Sequence, residues 1–125
     1  MNLTEIRKIV KNEDGERGPR KRTFKIEATT ENFVIVVARG KSRGHHSTQH
    51  FADLYAIHLP TRLHCRFAGF CQVSMPVRCK IGEVEEIEGG LHVYLAVKCK
   101  DEFGIEVDWP KAHFCCGLQL VGWHL

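Results

Sequence analysis

A chain of 125 residues, 43% hydrophobic and 26% charged, has the make-up of one folded domain over residues 1–125 and excludes a disordered protein. Its formal charge of +3 hides a split: residues 1–44 carry eleven Lys or Arg against six acids, and residues 45–125 carry seven against nine. No apolar run approaches the roughly 20 residues of a spanning helix, which argues against a membrane partner.

Leu3, Ile6, Ile9 and Val10 recur at helical spacing, which predicts a short amphipathic helix over residues 3–12. Two glycines and a proline between Asn12 and Pro19 make a loop. From Thr23 to Ala28 apolar residues alternate with Lys25 and Glu27, a half-exposed strand, and Phe33–Ala38 is an unbroken apolar run, a strand buried on both faces. Gly40–Gly44 reads as a loop. Ser47 can then cap a second helix through about His58, with Phe51, Leu54, Tyr55 and His58 on one face and Pro60 as its stop.

Leu63–Met75 reads as a strand kinked near Gly69. Val77, Cys79 and Ile81 share one parity, after which Gly82 shifts the apolar positions to Val84 and Ile87, the mark of a β-bulge. Beyond the Gly89-Gly90 turn, Leu91, Val93, Leu95, Val97 and Cys99 take one face and His92, Tyr94, Lys98 and Lys100 the other, which is a half-buried antiparallel hairpin. Asp101–Gly104 supplies the next turn, Ile105, Val107 and Trp109 resume the alternation, and His113–Trp123 reads as a central strand. The expected fold class is α+β: a mainly antiparallel, strongly curved sheet with an N-terminal helix and a second helix near residues 47–58. Apolar strands with open edges also predict a homodimer.

The chemistry-bearing residues concentrate where the alternation fails. On a helix starting at Ser47, His50 and Asp53 would share a face and could act as an imidazole–carboxylate base pair, with His46 beside them. His46 and His50 are four apart, but Ser47 stands where a zinc helix carries glutamate, so no metal is expected, and no cofactor is called for. None of the six cysteines forms a Cys-x-x-Cys pair. Because residues 1–8 carry no secretory signal, a cytoplasmic protein with reduced thiols is expected. Arg20 and Arg22, within the densest basic cluster, together with Lys41 and Arg43, could form a rim for an anionic ligand. Tyr94 is the one aromatic interleaved with basic residues on a strand face, which argues against nucleic acid as a partner.

The order of elements, and the run Val77–Val93 with its polar turn followed by Asp101–Val107 and Ala112–Phe114, resemble the hotdog fold of acyl-thioesterase-like proteins. The resemblance implies a sheet wrapped around a central helix, Asp53 as the general base with His50 or His46 near it, and the basic residues meeting the phosphates of coenzyme A. The His-Gly-Gly of that family is absent from Gly44–Asp53. The functional expectation is a small α+β protein with a pocket for a small anionic ligand such as an acyl thioester, hydrolysis being left open. The alternatives are a non-catalytic interaction protein and, behind it, a nucleic-acid-binding domain.

Overall fold

The structure, a computed structural model, describes residues 2–14, 22–44, 46–100, 106–108, 114–119 and 123. Helix α1 (Leu3–Asp14) opens it, two residues longer than its apolar spacing suggested. Asn2 is its cap: the side-chain Oδ1 accepts from the Glu5 N–H at 2.9 Å and the Asn2 carbonyl accepts from the Ile6 N–H at 3.1 Å. The first bond satisfies a backbone donor that the opening turn leaves unpaired, and the second is the first i→i−4 bond of the helix.

The strands among the described residues form two antiparallel four-stranded sheets. The first is a meander in chain order, β1 (Arg22–Thr29), β2 (Phe33–Arg43), β3 (Thr48–His58) and β4 (His64–Val73). The second holds β5 (Arg78–Ile87), β6 (Gly90–Lys100), β7 (Glu106–Asp108) and β8 (Phe114–Gln119). There β5 lines one side of β6, while β7 and β8 share the other, β8 along Gly90–Leu95 and β7 along Lys98–Lys100.

The first sheet is covered on both faces, which explains the unbroken apolar run of β2. Val34, Val36 and Ala38 turn toward α1 and pack with Ile6, Tyr55 and Ile57. Phe33, Ile35 and Val37 turn the other way, onto Leu91, Val93 and Leu95 of β6, with Leu54 and Ala56 beside them. The layers are therefore helix, sheet and sheet. Full burial of each Leu, Ile or Val side chain contributes roughly 1.5–3 kcal/mol, so among the described residues β2, β3 and β6 supply most of the driving force.

Residues 47–58, read as a second helix, form β3, which pairs with β2 in one unshifted register from Phe33–His58 to Arg43–Thr48. The loop expected at Gly40–Gly44 belongs to the same hairpin, closed by a turn in which the Gly44 N–H donates to the Ser47 carbonyl at 2.8 Å. The physical reason is position. Ala52, Leu54, Tyr55, Ala56 and Ile57 are all buried because β3 is an interior strand between two covering layers, so its sequence shows no two-residue period to oppose the helical one. The strongly curved sheet expected from the sequence is instead two stacked sheets without strong curvature. The chain leaves one for the other between β4 and β5, where Ser74 adopts a left-handed φ of 67° and Pro76 can donate no ladder hydrogen bond.

The long hairpin matches its sequence reading. Ile87 pairs with Gly90, Gly89 has a φ of 74°, and the register slips between Ile81 and Val84. The irregularity expected near Gly69 is a bulge at Phe67. The turn expected at Asp101–Gly104, the loop residues 15–19 and Trp109 lie outside the described residues. Among the described residues, no helix is long and apolar enough to cross a membrane.

Candidate functional site

Asp53 lies at the centre of a charged cluster between β1 and β4. It pairs with Ala38 on β2 and with Gly69 on β4, and shares the α1-facing side of β3 with Tyr55. Its Oδ2 lies 3.8 Å from Arg22 Nη1 on β1, and its Oδ1 lies 3.8 Å from Arg66 Nη1 on β4. Arg22 Nη1 also donates to the buried Tyr55 hydroxyl at 3.4 Å. One carboxylate thus takes a guanidinium on each oxygen, from strands on either side.

Two local features make this convergence feasible. The bulge at Phe67 sends its ring into the layer between the sheets and lets Arg66, opposite Tyr55, lie on the same side as Gly69, opposite Asp53. A Cβ at position 69 would stand 2.8 Å from Asp53 Oδ1 and 3.2 Å from Arg66 Nη2, so the ion pair lies across a position that only glycine leaves open. The side chains of Arg22 and Asp53 are 13% and 14% exposed, whereas that of Arg66 is 51% exposed. Among the described residues two guanidiniums thus flank one carboxylate, and the half-exposed Arg66 is the one turned to solvent.

The structure brings together two of the residues singled out from sequence, Asp53 and Arg22, and separates the others. His50 is three residues from Asp53, which places them on one face of a helix but on opposite faces of a strand. It pairs with Lys41 and Gln72 on the side away from Asp53. The imidazole–carboxylate pair expected from a helix is therefore not formed. His46 sits in the exposed turn between β2 and β3. Lys41 and Arg43 are exposed near the end of β2, on the side opposite Arg22, and Arg20 lies outside the described residues. The expected single basic rim is thus split between two faces.

Arg66 was missed in the sequence because only the β3–β4 register brings it to Asp53. The same holds for a second polar cluster, where Glu86 of β5 fastens the second sheet to the turn between β1 and β2. Glu86 Oε1 accepts from Thr30 Oγ1 at 2.6 Å and from the Asn32 N–H at 2.7 Å, and Oε2 accepts from Asn32 Nδ2 at 3.2 Å. The Thr30 hydroxyl, the Asn32 amides and the neighbouring His58 hold the Glu86 carboxyl below the usual glutamate range. Burial pushes the Cys79 thiol up despite the adjacent Arg39 guanidinium, so Cys79 is a neutral packing residue.

Among the described residues, no group of three His, Cys, Asp or Glu converges to hold a metal ion. Compared with family models, curated proteins and solved structures, the chain matches none.

Proposed function

We propose that the protein binds a small anionic molecule, through a phosphate or carboxylate group, at the corner formed by Arg22, Asp53 and Arg66. The observation that carries this reading is the half-exposed Arg66, the outer of the two guanidiniums that flank Asp53. Arg66 is the group that meets the anion, with its planar fork matching two oxygens at once. Asp53 and the Tyr55 hydroxyl are positioning groups that hold the two arginines at a fixed separation. An acyl thioester with a phosphorylated carrier fits this chemistry. The reading rests on the corner and not on the hotdog resemblance, whose central helix would fall on the residues of β3.

Isothermal titration with inorganic phosphate and with a short-chain acyl-coenzyme A tests this. Charge-assisted hydrogen bonds contribute about 1.5–3 kcal/mol each, so Arg66→Gln is expected to weaken binding by roughly 10- to 100-fold. Equal heats of binding for the wild type and Arg66→Gln would remove the proposal.

A further inference from the structure

We infer that the end of the β2–β3 hairpin, residues 41–50, is an arm that takes hold of the phosphate backbone of a nucleic-acid duplex. Between Asn32 and Ala52 the chain carries Arg39, Lys41, Arg43, His45, His46 and His50 and no Asp or Glu. Strand alternation places Arg39, Lys41 and Arg43 on one side of β2, about 6.6 Å apart. His50 pairs with Lys41 and Thr48 with Arg43 across the hairpin. The result is a line of cations rather than a point, which suits a linear polyanion better than a single phosphate.

Among the described residues the arm reaches beyond the strands that flank it. The described part of β1 pairs no further than Gly40, and β4 no further than Gln49, so residues 41–44, 46 and 47 lie past the described ends of both flanking strands. Its base is fixed: Arg39 Nη2 lies 3.7 Å from Glu27 Oε1, Arg39 Nη1 donates to Cys79 Sγ at 3.4 Å, and the Ser74 N–H donates to the Thr48 carbonyl at 2.7 Å. Lys41 and Arg43 beyond that base are exposed. A two-stranded ribbon fits a major groove roughly 12 Å wide, and a hydroxyl such as that of Thr48, paired with Arg43, donates to phosphates as lysine and arginine do. The composition also separates this partner from an anionic membrane. Lys41 to His50 contains no apolar side chain, whereas segments that lie in a membrane interface combine their cations with buried apolar anchors.

Fluorescence anisotropy with a labelled mixed-sequence duplex, read at low salt and at fourfold higher salt, decides the matter. Two phosphate contacts give a log–log salt slope of about −2, which is about a tenfold loss of affinity over that rise. The Lys41→Gln/Arg43→Gln variant, altered only at exposed positions, is expected to bind at least about tenfold more weakly with a slope near zero. Arg66→Gln, at the other site, is expected to bind the duplex as the wild type does. The inference is overturned if the wild type ignores the duplex at low salt, if the double variant binds as tightly as the wild type, or if Arg66→Gln weakens duplex binding as much as the double variant. It is also overturned if sedimentation shows capture by phosphatidylserine vesicles in place of the duplex.

Discussion

Asp53 and Gly69 face each other across β3 and β4 so closely that a methyl group on residue 69 would stand 2.8 Å from the Asp53 carboxylate. The glycine is therefore part of the charged corner although it bears no charge. Elsewhere in a strand, Gly→Ala gains roughly 0.5–1 kcal/mol by reducing the freedom of the unfolded chain. Here that gain is opposed by displacement of a carboxylate held between two guanidiniums. Gly69→Ala is expected to destabilise the wild type in urea unfolding and to be neutral or stabilising in an Asp53→Ala background. A coupling of at least about 0.5 kcal/mol in that cycle is the expected sign of the contact, and strict additivity would contradict it.

The Glu86 clasp makes stability depend on pH in a definite direction. Its carboxyl is held below the ordinary glutamate value in the folded protein, chiefly by the Thr30 hydroxyl and the Asn32 amides. The ionised form therefore adds stability that is fully present above the unfolded-state value, about 4.3, and is lost as pH falls through the folded-state value. Thermal unfolding of the wild type and Glu86→Gln should differ most at neutral pH and converge on acidification. A gap that widens toward acid would contradict the clasp.

The assignment of β3 as an interior strand has its own consequence. Leu54 and Tyr55 are neighbours in sequence yet both have no exposed surface, one facing the second sheet and the other the α1 side. Leu54→Ala is expected to cost about 2–5 kcal/mol and Tyr55→Ala a similar amount. On a surface helix, adjacent positions would not both be that sensitive. Chemical denaturation of the two variants measures the difference.

Thiol chemistry reports on the packing between the sheets. Cys71 on β4 is exposed, while Cys79 is half-buried with its thiol pushed toward the neutral form. Alkylation of the native protein at mildly alkaline pH, followed by peptide mapping, should label Cys71 well before Cys79, because the thiolate is the reactive species. Equal rates would show that β5 does not pack against Arg39 as described.

The parts of the fold legible in the sequence are those governed by local pattern. The Gly89 turn and the slip after Ile81 follow from alternation over neighbouring residues, and α1 follows from the spacing of Leu3, Ile6 and Ile9. β3 was not legible because burial on both faces removes its period of two, and Phe51, Leu54, Tyr55 and His58 happen to fit a helical spacing. The corner was half legible. Asp53 and Arg22 stood out by type and position, but Arg66 and Gly69 join them only through a register offset by the Phe67 bulge. The His50–Asp53 pair failed for the same reason that β3 did, since changing the period from 3.6 to 2 turns residues three apart to opposite faces.

Anion recognition at the Arg22–Asp53–Arg66 corner can be read residue by residue in a two-dimensional NMR titration of the isotope-labelled protein with inorganic phosphate. Saturable shifts are expected in the amides around Arg22, Asp53, Arg66 and Gly69, and in the Arg66 side-chain N–H signal, all abolished by Arg66→Gln. Saturable shifts elsewhere that leave these residues unmoved, or no saturable shift at all, would contradict it.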